Sequence, residues 1–130
     1  MSPKLALLFW ALVLFETKHF IFDFVLQTGY QKQNKGTYGH PGGLIHAGLH
    51  AIGSLPAIVL LTSSPLPIAA IEAAEFAVHY HLDWLKLAIL RRRGLGRDDA
   101  LYWVIFGADQ FLHQMTYVIV LAVLARIASA

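Results

Sequence analysis

Histidines and carboxylates sit inside apolar runs long enough to cross a bilayer, and nothing else in this 130-residue chain limits its fold so severely. In the stretch "KHFIFDFVLQ", from Lys18 to Gln27, His19 and Asp23 stand four residues apart at the end of an otherwise hydrophobic segment. Four such segments recur, at residues 4–26, 43–61, 66–90 and 100–127. Each is close to, or longer than, the ~20 helical residues that span the hydrocarbon core. With 57% hydrophobic residues the chain carries more apolar sequence than a soluble domain of its length can bury. The expected fold is therefore all-α: a single polytopic transmembrane domain over residues 1–130, with helices at roughly 4–27, 43–61, 66–91 and 99–127 in a four-helix bundle.

The first segment reads as a retained helix. Its apolar part outruns a leader core, Glu16, Lys18 and His19 interrupt it, and no small-residue cleavage site follows. The chain has no cysteine, which excludes disulfides and thiolate ligands. A net charge of +2 gives no reason to expect a nucleic-acid partner. Between the segments lie a polar, Gly-rich loop over residues 28–43, the short turn "TSSPLP" with Pro65 and Pro67 suited to a helix start, and "RRRGLGRDD". In that last stretch Gly94 suits a C-cap and Asp98 an N-cap.

An internal repeat shows where the polar groups go. An offset of 60 residues sets "HFIFDF" on "HYHLDW", and an offset of 63 sets "HAGLHA" on "DQFLHQ". The two halves thus read as two copies of one helical hairpin, related by a pseudo-two-fold axis along the membrane normal. At 100° per residue, Glu16, His19, Asp23 and Gln27 fall within about 80° of arc, as do Glu72, Glu75, His79, Asp83 and Lys86. His81 points the opposite way. His46 and His50 share one face of the second segment, and Asp109 and His113 one face of the last. An unpaired carboxylate at the centre of a membrane helix costs on the order of 2.5–3.5 kcal/mol. These pairs therefore face one another.

Three readings of such a core compete. A metal site is the first, with His19, Asp23, His46, His50, His79, Asp83, Asp109 and His113 as ligands. Nitrogen and oxygen donors without sulfur suit a divalent metal, zinc first and manganese or iron next. Gln27, Lys86 and Gln110 would orient the ligands. A bound metal would make hydrolysis of a lipid-like or membrane-associated substrate the natural chemistry, with Glu16 or Glu75 as general base. The second reading is a small proton or ion transporter, and the third a hydrogen-bonded core that fixes helix register, alone, in a homo-oligomer or in a larger membrane complex. Membrane lipids are the partners common to all three.

The ordered set "HFIFDFVLQTGYQKQNKG", "HAGLHA", a His-x-x-x-Asp helix ending in Lys86, and "DQFLHQ" resembles the DUF3307 family of small bacterial membrane proteins over nearly the whole chain. The resemblance implies a bacterial inner-membrane protein of unestablished function. It also implies that His19, Asp23, Gln27, Lys35, His46, His50, His79, Asp83, Lys86, Asp109, Gln110 and His113 are motif positions. A more distant likeness is to membrane proteins labelled metal-dependent hydrolases.

Loop charge sets an orientation. Lys32 and Lys35 lie in the first long loop, and Lys86, Arg91, Arg92, Arg93 and Arg97 at the end of the third segment and beyond, against Lys4 and Arg126 on the other side. The arginine run also suits anionic lipid headgroups. By the positive-inside rule both long loops are cytoplasmic and both termini lie outside. Single cysteines introduced at Thr37 and Gly96 should then be labelled from the cytoplasm. Labelling of both from the periplasm alone would mean the inverse orientation.

Overall fold

Proline and small polar residues start the helices. In the computed structural model, which describes residues 2–127, α1 (Pro3–Phe20) begins at a proline, and the Ser2 hydroxyl accepts the Leu5 N–H at 3.3 Å. Helix α2 (Gly29–Asn34) follows, then α3 (Pro41–Val59), α4 (Pro65–Arg93) and α5 (Ala100–Ile127). No strand occurs among the described residues. Met1 and residues 128–130, the ends of the expected domain, lie outside them. Helix α4 stops at Gly94, which takes the left-handed conformation at φ 61° that glycine adopts freely.

Three local features depart from the sequence reading. Directly after α1, Ile21–Val25 winds as a π-helical turn, with the Leu26 N–H reaching back to the Ile21 carbonyl at 2.8 Å and Asp23 at its midpoint. Such turns insert one residue into a helix and commonly mark functional positions. The loop over residues 28–43 contains α2, because Thr28 and Gln31 form a reciprocal capping box. At the start of α5 the flanking residue is Asp99 rather than Asp98, and its carboxylate accepts the Gly96 N–H at 2.7 Å.

Pro3–Val25, α3 and α5 are long and apolar enough to cross a membrane. Helix α4 is the longest, at 29 residues, but Glu72, Glu75, Asp83 and Lys86 interrupt its middle. The last three of these are buried, so they do not face the surroundings. Large apolar side chains such as Phe9, Trp10, Ile52, Val104 and Phe111 are exposed instead. That inversion suits hydrocarbon as solvent.

Helix α1 packs on α3 and α5, α4 packs on the same two, and α2 lies on α3. The interior has two zones. One is apolar, built from Ala11, Phe15, Ile58, Ile71, Tyr117, Val120 and Leu124. The other is polar and holds the histidines and aspartates. Gly42 and Gly43 let the chain around α2 press against the start of α3: a Cβ on Gly43 would sit 3.1 Å from the Tyr80 ring and 3.3 Å from Lys35 Cα. That close approach directs Lys35 into the polar zone.

Gly43→Val should therefore push the Lys35 segment outward and destabilise by about 1–3 kcal/mol, the usual range for overpacking. Thermal unfolding in detergent reads this out. An unchanged melting temperature would mean that the close approach is not needed.

Candidate metal centre

The i, i+4 spacing of each helix puts one polar residue at each of two levels. At the inner level His19, His50, His79 and His113 meet, with ring centroids 5.5 Å apart for His19 and His50, 3.8 Å for His50 and His79, and 4.3 Å for His79 and His113. Towards the long loops lie Asp23, His46, Asp83 and Asp109, all buried. His46 Nε2 lies 2.9 Å from Asp23 Oδ1 and 3.1 Å from Asp83 Oδ2. His50 Nε2 lies 3.2 Å from the same Asp23 oxygen.

Three buried lysines neutralise most of these acids. Lys35 reaches in from the loop and donates to both Asp83 oxygens at 3.1 and 3.0 Å. Lys86 bridges Asp83 Oδ1 at 2.9 Å and Asp109 Oδ2 at 2.6 Å. Lys18 pairs with Glu75, donates to the His50 carbonyl at 2.9 Å and lies over the Tyr117 ring. Asp23 differs: its ion-pair partners among the described residues are imidazoles alone. A buried carboxylate with imidazole neighbours and no ammonium paired to it is a natural seat for a cation.

Several atoms around Asp23 are close without being hydrogen-bonded. Asp23 Oδ1 and both ring nitrogens of His50 and of His79 are buried without a hydrogen-bond partner among the described residues. These short separations fall outside hydrogen-bond geometry and leave those buried atoms without such a partner. Ligand atoms on one tetrahedral zinc ion sit roughly 3.4 Å apart, given bonds near 2.1 Å, so the Asp23 contacts have the required scale. Asp23, His46, His50 and His79 offer ligand atoms within 4.8 Å of one another, as separately do Asp83, Asp109 and His113. His113 donates its Nδ1–H to the Asp109 carbonyl at 2.8 Å, which leaves Nε2 as the free ligand atom. Lysines already occupy the carboxylates of this second group.

The remaining candidates surround the first group. His19 belongs to neither group: its ring nitrogens meet the Tyr117 hydroxyl and the Gln110 carbonyl, each at 3.1 Å, and Nε2 lies 3.3 Å from Asp23 Oδ2. It holds Asp23 in place. The Gln27 amide lies 3.0 Å from His46 Nε2, and Gln110 also donates to Asp109 at 3.1 Å. Glu75 accepts from Ser54 at 2.7 Å as well as from Lys18, and it lines a narrow crevice with His79 and His113. Glu16 is half-buried on α1, outside both groups.

Sequence reasoning missed Lys18, Ser54 and Tyr117; it read Lys35 as loop charge and, through the family resemblance, as a motif position. Lys18 adjoins His19, so the helical-face argument could not include both. A lysine next to a buried histidine in an apolar segment was the available signal.

The model of a family described as "Protein of unknown function (DUF3307)" matches residues 8–130, nearly the whole chain. No curated protein and no solved structure matches.

His79 is buried in the centre, whereas His81 is exposed, donates to the Ala77 carbonyl at 2.6 Å and meets the Tyr38 hydroxyl at 3.1 Å. His79→Ala should therefore lower stability or metal content, and His81→Ala should leave both near wild type. Equal losses in melting temperature and metal content would show that the centre has been drawn on the wrong face of α4.

Proposed function

We propose that this chain, which belongs to the DUF3307 family, is an integral protein of the bacterial inner membrane that holds one divalent metal ion between its helices. Asp23, His46, His50 and His79 are the ligands, and zinc suits this set of three imidazoles and one carboxylate. The observation that carries the reading is Asp23, a buried acid without an ammonium partner among the described residues, set 2.9 and 3.2 Å from two imidazole nitrogens. Asp83, Asp109 and His113 form an adjoining polar group already neutralised by Lys35 and Lys86. That favours one ion over two. For the second group, a structural hydrogen-bonded core is the better reading.

The four long helices form the membrane-spanning bundle on this reading, α4 included. The support is that its interior-facing residues are Glu75, His79, Asp83 and Lys86 while Leu85 and Val78 face outward. The hairpins α1–α3 and α4–α5 are the two repeats, with His19 answering His79 and Asp23 answering Asp83. Four protein ligands fill a tetrahedral zinc site, so hydrolysis of a lipid-like substrate would require the ion to take a water, acidified towards neutral pH, as a fifth ligand. Within the chain, His19, Gln27 and Gln110 orient the centre, and Lys18 and Ser54 hold Glu75. With one oxygen of Glu75 so held, its other oxygen is the one left to take a proton.

Ligands drawn from three helices tie them together only while the metal is bound, so binding stabilises the native state by mass action, about 2.7 kcal/mol at a hundredfold excess over Kd. Stripping the purified protein with a strong chelator should lower its melting temperature, and zinc should restore it. Asp23→Asn should abolish that response, whereas Asp109→Asn should retain it. No metal in the purified protein and no effect of chelation would replace the metal centre with a structural core.

A further inference from the structure

A cleft of about 300 Å³ opens from the loop end of the molecule down to the centre. Asp23 and Gln27 form its floor side, Lys32 and Arg97 its cationic side, and Tyr102 and Trp103 its aromatic wall. The cleft joins two distant parts of the chain: Asp23, Gln27 and Lys32 come from the π-helical turn through α2, and Arg97 with the aromatic pair from the turn before α5 and its first turn. The turn is held, since the Trp103 indole N–H donates to the Arg97 carbonyl at 2.9 Å. Lys32 and Arg97 are exposed, and the lysine– and arginine–carboxylate pairs among the described residues leave both out. Every other cation in the polar zone is committed to an acid. These two are available.

We infer that this cleft binds the phosphate-type anionic head of an amphiphile and presents it to the centre. A guanidinium and an ammonium on one wall recognise phosphate by charge-assisted hydrogen bonds. Tyrosine and tryptophan beside them have the amphipathic character of side chains that settle at the headgroup level of a bilayer. Phe24 and Phe106 also line the cleft and give an apolar surface where the tails begin. Gln27 connects the two sites, bordering the cleft and lying 3.0 Å from His46 Nε2. Asp23 couples them. Its carboxylate in the cleft wall repels an anion unless a cation is held on it, so metal and anion strengthen each other's binding. The inference deepens the metal reading by naming the substrate class, and rests on it for that coupling.

The test uses the full chain in an uncharged detergent, titrated with dihexanoyl phosphatidate, dihexanoyl phosphatidylcholine or inorganic phosphate, each with and without zinc. The wild type should prefer phosphatidate to phosphatidylcholine. Lys32→Gln with Arg97→Gln should weaken phosphatidate binding by at least about tenfold, since two hydrogen bonds to a charged group are lost. Both positions are exposed, and an unchanged melting temperature confirms that the double variant folds. Zinc should tighten phosphatidate binding in the wild type. If inorganic phosphate displaces phosphatidate at comparable concentration, the cleft takes soluble phosphate; if it does not, the lipid is the source. Undiminished phosphatidate binding in the double variant, or no preference over phosphatidylcholine, overturns the inference even where zinc stabilises the protein. A response that needs Arg97 and Lys32 but ignores zinc upholds the anion site and removes its coupling to the metal centre instead.

Discussion

A carboxylate taken out of water is stable only beside a positive charge or donors aimed at it, and this requirement organises the interior. Asp83 and Asp109 share Lys86, Asp83 also takes Lys35 from the loop, and Glu75 takes Lys18 from α1. Apart from Lys86 with Asp83, which share α4, each pair joins different elements. Helix α4 is thereby tied to α1, to α5 and to the segment before α3, while the apolar zone of Phe15, Ile58, Ile71 and Leu124 fills the other end. Because both members of a buried pair must stay together, losing one is far costlier than never having had either. The pairs fix which helix faces which, and the apolar packing sets how closely they approach.

Against that background Asp23 is the exception, and the π-helical turn is how it arises. Over Ile21–Val25 the helix takes in an extra residue, and the wider turn sets Asp23 beside His46 and His50 on α3. His19, one turn earlier, is held by Tyr117 and Gln110 of α5. One helix thus addresses two neighbours within five residues.

Much of the site was legible because helical periodicity is a strong signal and ionisable residues in apolar segments are rare. Asp23, His46, His50, His79, Asp83, Asp109 and His113 stood out by spacing, and the structure gathers them in two buried groups. What was hidden depended on contacts between distant elements. Lys35 looks like ordinary loop charge until Gly43 allows its backbone to approach α3. His19 shares the spacing of a ligand, yet both ring nitrogens are engaged elsewhere, which no single-helix argument can reveal. Helix α2 and the π-helical turn escaped for a related reason: a short capped turn and a one-residue insertion leave no periodic trace.

On the proposed reading of α4 as a fourth span, that helix has a consequence for how the protein is made. With Glu72, Glu75, Asp83 and Lys86 in its middle, it is a poor candidate to leave the translocation channel by itself. Lys18 and Ser54, which hold Glu75, belong to α1 and α3 and are synthesised earlier; Lys35, which holds Asp83, is made earlier too. Asp109, the partner of Lys86, comes last. The order of synthesis therefore prepares a polar cradle before α4 arrives, and α5 closes it. Biogenesis on this scheme is sequential, each new segment partitioning into lipid in the company of those already waiting.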